Sequence, residues 1–502
     1  MHPTPATDKV SSEDSPKIKQ SIRILPDEIL IEIFLQASMD LAKAYGSALP
    51  VRRKNHSVRW HISGVSKRWR NIALSTNSLW AHIDFRGPWK FRYTSSTNPC
   101  GSVRTYDMIQ TCLVRSGESP LAVDHRFTFE DDPSVIDLLM ACSHRWKSAT
   151  FTCYSHSCYH FDDLPISCKA LLQTQDKVPL LQSVSVDYVG LHFYGIAFSN
   201  APNLHSVKIS PYSDILHSEV TGLAKFPWAA LTKLCLSSSL VVRTYYMILR
   251  QAPSLKALHV TATIRYCPFN PEYPNDNGES WDPTLIVNLS FLRTLHIDGR
   301  CTPSAVRGLH LPQLSHLTFV ARERDLTTTI AVANLILGLP NTLETLGLAC
   351  WTWVAWTNIL DLLWAATSIQ TFLWIEPDAL TDAYCHSVLK EATYMEKGGK
   401  YILPNLEHLD LGDNVRFLTS VCELIQLRNF SSNSGSPPHS TTPVKSISLR
   451  YVHQVGGLRE EENMQCLKLL KLWKAQGALK VDLDILYVAD DGPPRHYMVM
   501  KF

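Results

Sequence analysis

Two different patterns of apolar residues divide this chain. Near its beginning, Leu25, Ile29 and Ile33 recur every four residues, and Leu30 and Phe34 repeat the same spacing beside them. Residues four apart lie on one face of an α-helix, so this spacing predicts a helix with two adjoining apolar stripes. So small a unit has few places to bury both stripes, and we expect some of this apolar surface to dock on another molecule.

The sequence also predicts where this helix begins, and it predicts a second helix. Pro26 suits the first helical position, and Asp27 and Glu28 place negative charge in the first turn, where the helix dipole favours it. Further on, apolar residues share one face of a second predicted helix and basic residues the other. The apolar face comprises Val65, Trp69, Ile72 and Ala73.

From residue 146 onward the pattern changes to a recurring L-x-x-L-x-L, with Ile, Val or an aromatic residue substituting for Leu. It is found at residues 146–151, 181–186, 204–209, 231–236, 255–260, 292–297, 314–319, 343–348, 369–374, 406–411 and 444–449. The alternating last four residues predict a short strand with one buried side. Recurrence of such a unit at unequal intervals indicates an irregular leucine-rich-repeat solenoid, with a curved parallel sheet inside and helices on the convex face.

The fold class expected is therefore α/β, with a three-helix unit before the solenoid. The predicted boundaries are a disordered tail at 1–20, the helical unit at 21–85 with a polar insert at 40–59, a linker and first repeats at 86–145, the solenoid with its C-terminal cap at 146–487, and a tail at 488–502.

Three short motifs near the beginning resemble the F-box. They are Leu25-Pro26-x-Glu28-Ile29-Leu30-x-x-Ile33, Val65-Ser66-Lys67-Arg68-Trp69-Arg70 and Ser78-Leu79-Trp80. The polar insert at 40–59 departs from the family pattern, which usually has a short turn and a compact second helix there. A later Ser-Gly-x-x-Pro-Leu followed by His-x-Trp is similar to the linker of large fungal F-box families.

This resemblance implies a non-catalytic receptor subunit of an SCF-type ubiquitin ligase. Its F-box would bind the Skp adaptor and, through that adaptor, a cullin, while the repeats would bind a target protein. The residues implied for the F-box core and the adaptor contact are Leu25, Pro26, Glu28, Ile29, Leu30, Ile33, Phe34, Val65, Trp69, Leu79 and Trp80. The alternative is a leucine-rich-repeat scaffold that pairs partners without ubiquitin transfer, with the helical unit serving only as a cap.

The repeat register indicates where a target would bind. Strand residues between the buried ones face the concave side, where small and polar side chains dominate. The predicted contacts are Asp187, Lys208, His259, His296, Asp298, His316, His408, Asp410 and Arg450, with Trp351 and Trp353 at the rim. Solvated strand faces also tolerate such polar residues, and tryptophan is also a common core residue, so both interpretations stay open.

Composition narrows the function classes. With 45% hydrophobic and 19% charged residues in 502, the chain should fold around a large core, and a net charge of +2 gives no general attraction to nucleic acid or membranes. Thirteen cysteines without regular spacing, no signal peptide and no long apolar run predict a cytoplasmic or nuclear protein. Nucleotide-binding and hydrolase motifs are missing from the sequence, so no cofactor is expected.

One stretch has metal-binding residue types, namely Cys153, His156, Cys158, His160 and Cys168. A zinc site needs paired ligands at characteristic separations, and this stretch lacks the second pair. We therefore predict an ordinary loop there and no metal site.

Overall fold

The structure is a computed structural model, and the chain forms two compact units that are described separately. Unit 1 comprises residues 1–156 and 163–181, and unit 2 comprises residues 157–162 and 182–502. The residues that the structure describes are 24–44, 58–85, 100–127, 133–153, 170–187, 196–210, 225–237, 240–261, 264–265, 286–299, 304–321, 326–339, 341–349, 363–364, 366–374, 402–411, 418–430, 442–454, 460–488 and 498–501.

Unit 1 begins with helices around a small apolar core. These are α1 (Asp27–Ala44), α2 (Val58–Val65), α3 (Lys67–Ser75) and the single turn α4 (Asn77–Trp80). The core consists of Leu30, Phe34, Ile62, Ile72, Ala73, Leu79, Trp80 and Cys112. Aromatic rings tie its parts together, since the ring centroids of Phe34 and Trp69 are 4.9 Å apart and those of Trp60 and Trp80 are 5.0 Å apart.

The second predicted helix is in fact two helices, and Ser66 is the reason. Its backbone is extended, with φ −155° and ψ 165°, and its hydroxyl accepts a hydrogen bond from the Trp69 amide at 3.1 Å. This is N-cap geometry, which starts a new helix instead of continuing the old one. Val65 therefore ends α2, while Trp69 lies on α3.

The polar insert predicted at 40–59 is helical at both of its ends. Helix α1 continues to Ala44, and α2 already starts at Val58. Arg59, the last residue of the predicted insert, is buried. A compact second helix is thus present in this domain, and residues 45–57 lie outside the described part of the chain.

The rest of unit 1 is α/β rather than a plain linker. It contains β1 (His82–Phe85), α5 (Cys100–Ser116), β2 (Leu121–Phe127), α6 (Pro133–Ala141) and β3 (Trp146–Cys153). The three strands pair in parallel in sequence order. Gly117 ends α5 with φ +52°, and a Cβ there would lie 2.7 Å from the Asn77 side chain, so the close approach to α4 requires glycine.

Unit 2 is built on a long parallel sheet. Its strands are β4 (Ser183–Asp187), β5 (Ser206–Ser210), β6 (Lys233–Leu236), β7 (Leu240–Val241), β8 (Ala257–Val260), β9 (Ile264–Arg265), β10 (Val287–Asn288), β11 (Thr294–Gly299), β12 (Leu309–His310), β13 (His316–Ala321), β14 (Thr345–Ala349), β15 (Thr371–Trp374), β16 (His408–Asp410), β17 (Ser446–Gln454), β18 (Lys480–Val488) and β19 (Met498–Lys501).

Every long strand from β4 to β18 joins one sheet in sequence order, and each pair is parallel. The short strands pair separately, β7 with β9 and β10 with β12. In β11, β13 and β14 the motif leucines Leu295, Leu317 and Leu346 are in register, and all are fully buried. The mixed α/β class and the strand positions predicted from the motifs are confirmed.

The described helices of unit 2 lie between these strands in the sequence. They are α7 (Val242–Gln251), α8 (Ser304–Arg307), α9 (Leu326–Leu337), α10 (Leu418–Phe430) and α11 (Glu460–Ala475). Helix α11 and β18 occupy the place of the predicted C-terminal cap. None of the helices in the described segments is long and apolar enough to cross a bilayer.

The C-terminal boundary differs from the predicted tail at 488–502. Strand β19 pairs antiparallel with β18, with Ile485 opposite Met500. An unpaired edge strand leaves a row of open backbone donors and acceptors, and β19 satisfies those of β18.

Candidate functional site

Helix α1 places its two apolar stripes in different environments. Leu30 and Phe34 are buried, with 1% and 2% of their surface exposed, whereas Ile29 and Ile33 are 48% and 46% exposed. The first stripe fills the core of the helical domain. In the second stripe, Leu25 packs partly against this core, whereas Ile29 and Ile33 keep about half of their surface exposed.

A polar clamp fixes the beginning of α1 against α3. The Arg68 guanidinium donates to the Asp27 carboxylate at 2.5 and 2.9 Å and to the Leu25 carbonyl. An exposed ion pair contributes little stability, so its main effect is to set the relative position of the two helices. Val65 precedes Arg68 by three residues and is 62% exposed.

The residues predicted to contact an adaptor fall into three groups by exposure. Pro26, Glu28, Ile29, Ile33 and Val65 are exposed, Leu25 and Trp69 are partly buried, and Leu30, Phe34, Leu79 and Trp80 are buried in the core. Only the first two groups can touch another protein directly. The four buried residues can act only by shaping the domain.

Two exposed apolar residues of the helical domain were not predicted from the sequence. Ile24 is 79% exposed and Leu74 is 38% exposed. Ile24 directly precedes the first motif, and this position could have signalled its place on the surface. We define the apolar patch as Ile24, Pro26, Ile29, Ile33 and Val65.

Trp80 in the core of this domain is fixed by one hydrogen bond and by two guanidinium groups near its ring. Its indole Nε1 donates to the Ala73 carbonyl at 2.7 Å. The guanidinium of Arg115 lies 4.4 Å from its ring centroid, and that of Arg59 lies 5.7 Å away. These contacts fix the C-terminal end of the helical domain on α5 of the same unit.

Arg59 is the unexpected member of this arrangement. Its buried guanidinium donates to the carbonyls of His82 at 2.5 Å and Trp80 at 3.5 Å. Burial lowers the pKa of Arg59, while the nearby Cys112 and Asp84 act in the opposite direction. Burial also raises the pKa of the Cys112 thiol, so this thiol is neutral beside the guanidinium. A buried cation fixed by two carbonyls has a structural role.

The predicted target contacts of unit 2 form a row across neighbouring strands. Lys208, Cys235, His259, His296 and Thr318 are in register from β5 to β13. The rings of His259 and His296 are in contact, with centroids 3.9 Å apart. The structure thus brings together side chains that are far apart in the sequence.

Three further predicted contacts, His316, His408 and Asp410, lie on β13 and β16 of the same sheet. His316 is exposed at the start of β13, and its Nδ1 lies 2.7 Å from the Ser315 hydroxyl. His408 is partly buried, with its Nδ1 2.7 Å from the Ser446 hydroxyl of the neighbouring strand, and Asp410 is partly buried two residues later.

Several predicted site residues cannot be placed by their side chains. Asp187, Asp298 and Arg450 belong to β4, β11 and β17, but their side chains lie outside the description, and Trp351 and Trp353 lie outside the described residues altogether. The same is true of His156, Cys158, His160 and Cys168. Among the described residues, no group of His, Cys, Asp and Glu is arranged to hold a metal ion.

Comparison with known proteins bears on the helical domain alone. No curated protein matches this chain. The F-box-like family model matches residues 22–86, which span α1 to β1. The helical unit is therefore an F-box-like domain, and this match supports the interpretation of the chain as an F-box protein.

Proposed function

We propose that this chain is the substrate-recognition subunit of an SCF-type ubiquitin ligase. The observation that carries the proposal is the apolar patch on a domain that matches the F-box-like family model. F-box domains bind Skp-type adaptors. A complete core with one apolar stripe of α1 left outside is the surface that such an adaptor would cover.

In this proposal the two units hold different molecules. The F-box-like domain binds the Skp adaptor and, through it, a cullin. Unit 2, which we interpret as an irregular leucine-rich-repeat solenoid, binds the target on the sheet face that carries His259, His296 and their neighbours. The chain does no chemistry, because holding a target lysine near the charged enzyme raises its effective concentration. We place the complex in the cytoplasm or nucleus, with no role for nucleic acid or membranes.

The direct test is to make the exposed stripe of α1 polar. We expect Ile29→Ser with Ile33→Ser to weaken binding to the recombinant Skp adaptor by about a hundredfold, because two interface anchors of about 1.4 kcal/mol each contribute ~2.8 kcal/mol together. Isothermal titration calorimetry on the full-length chain measures this affinity.

A matched control separates specific binding from general apolar adhesion. Leu469 and Leu472 on α11 are also exposed, at 37% and 49%, and lie three residues apart on a helix. Leu469→Ser with Leu472→Ser should leave adaptor binding unchanged. Equal loss in both double variants, or no loss in the α1 variant, would contradict the proposal. If the chain co-purifies with the adaptor but with no cullin, a scaffold without ubiquitin transfer would be favoured instead.

A further inference from the structure

Four basic residues lie on neighbouring strands of the unit 2 sheet. Lys208 is in β5, Lys233 begins β6, and Lys256 and Arg293 directly precede β8 and β11; all four are exposed. Because β5, β6, β8 and β11 are adjacent in the sheet, these residues are spread over about 14 Å across the strands at a spacing of ~4.8 Å. Lys233, Lys256 and Arg293 lie within one residue of the same level, and Lys208 lies two residues further along its strand than Lys233. We call these four residues the basic strip.

Among the described side chains, no carboxylate compensates the positive charge of the strip. None of its members forms an ion pair with a described residue. Between residues 188 and 321, the side chains that the structure describes include no carboxylate. By contrast, Lys445 on β17 is paired with Glu407 at 2.8 Å.

Acidic residues are found further along the same sheet. Glu344 precedes β14, Glu407 precedes β16, and Asp410 ends β16. Among the described side chains, the carboxylates of this sheet thus lie away from the basic strip. A ligand with negative charge would be attracted to the strip and repelled by these carboxylates.

The side chains around the strip distinguish between anionic ligands. The outward positions of β5, β6, β8 and β11 carry Ser, Lys, Cys, Ala, His and Thr among the described residues, and Phe291, two residues before Arg293, is the one exposed Phe, Tyr or Trp described beside the strip. Single-stranded nucleic acids are usually bound on aromatic side chains that stack with the bases. Lysine, arginine and histidine suit carboxylates, which need donors and positive charge but no stacking surface.

We propose that the basic strip binds an extended acidic segment of the target protein, an inference that deepens the proposed function by giving the target's chemistry. Alternate side chains of an extended segment point to the same face and are ~6.6 Å apart, since the chain advances about 3.3 Å per residue. Carboxylates at positions i and i+2 would therefore meet Lys233 and Lys256, which lie on the adjacent strands β6 and β8 within one residue of the same level.

The test uses a fluorescein-labelled peptide of Gly and Ser with Glu pairs at positions i and i+2. Anisotropy with the full-length chain should show binding that weakens as salt rises from about 0.1 M to about 1 M, because the screening length falls from ~10 to ~3 Å. The same peptide with Gln in place of Glu should not bind. Equal binding of the Gln peptide would overturn the proposal.

Variants locate the binding on the strip. Lys233→Gln with Lys256→Gln should weaken peptide binding about tenfold, whereas Lys225→Gln with Lys480→Gln, which removes two exposed lysines outside the strip, should change it less than about twofold. Equal effects of the two double variants would overturn the proposal, as would tighter binding of a single-stranded RNA in the same salt.

Adaptor binding by the Lys233→Gln, Lys256→Gln variant separates this inference from the proposed function. We expect that affinity to equal the wild-type value, because both substitutions are in unit 2. Peptide binding by a wild-type chain that fails to bind the adaptor would support the strip while contradicting the receptor role. Adaptor binding by a wild-type chain that fails to bind the peptide would support the receptor role and contradict the assignment of the basic strip.

Discussion

At the scale of single residues, Arg59 shows how a charge can belong to a core. Its side chain is only 6% exposed, yet both carbonyls that it contacts, those of Trp80 and His82, lie at the end of the F-box-like domain. Without the guanidinium, the buried Trp80 carbonyl and the partly buried His82 carbonyl would each lose this donor. Leaving a buried polar group unsatisfied costs about 1–3 kcal/mol, more than an ordinary hydrogen bond contributes.

We therefore expect Arg59→Leu to destabilise the F-box-like domain by roughly 2–4 kcal/mol, since two acceptors and a ring contact are lost together. Hydrogen exchange of peptides covering residues 58–85 in the full-length chain measures this change. The control is Lys67→Leu, an exposed residue at the start of α3, for which we expect a change within about 0.5 kcal/mol. Similar exchange rates in both variants would show that Arg59 has no structural role.

At the scale of elements, α1 carries two stripes of similar apolarity with opposite roles. Leu30→Ala should cost about 2–5 kcal/mol of folding free energy, because it opens a cavity in the core. Ile29→Ala removes a comparable side chain from the exposed stripe, and its cost should stay within about 0.5 kcal/mol. Hydrogen exchange of α1 measures both effects. A large loss for Ile29→Ala would mean that this stripe is packed within the molecule and is not a docking surface.

Periodicity predicted the elements better than their environments. The alternation in L-x-x-L-x-L fixed the strands, because a strand with one buried side must alternate. The four-residue spacing likewise predicted α1, but it could not tell which stripe is buried, since both meet the same pattern and only tertiary packing decides between Ile29 and Leu30. Arg59 was assigned to a polar insert because charge ordinarily indicates solvent. Strand β19 was missed because its four residues, Met498–Lys501, show no alternation of apolar and polar side chains.

At the scale of the whole molecule, the net charge of +2 conceals an uneven distribution. Composition predicts no attraction to anionic partners, and this holds for the average surface. The sheet of unit 2, however, separates the basic strip from acidic residues such as Glu344 and Asp410. Folding places residues from separate repeats on adjacent strands, and the net charge of the sequence does not describe this arrangement.

A receptor must hold the adaptor and the target on one and the same chain, and this requirement can be tested without knowing the target. Beads coated with the Skp adaptor should retain the labelled acidic peptide only when the wild-type chain is added. The Ile29→Ser, Ile33→Ser variant should fail because it does not reach the bead, and the Lys233→Gln, Lys256→Gln variant because it does not bind the peptide. A mixture of the two variants should also fail, since each complete bridge needs both surfaces in one molecule. Bead fluorescence measures retention, and recovery of the wild-type signal by the mixture would contradict a single-chain receptor, because two chains would then be sharing the task.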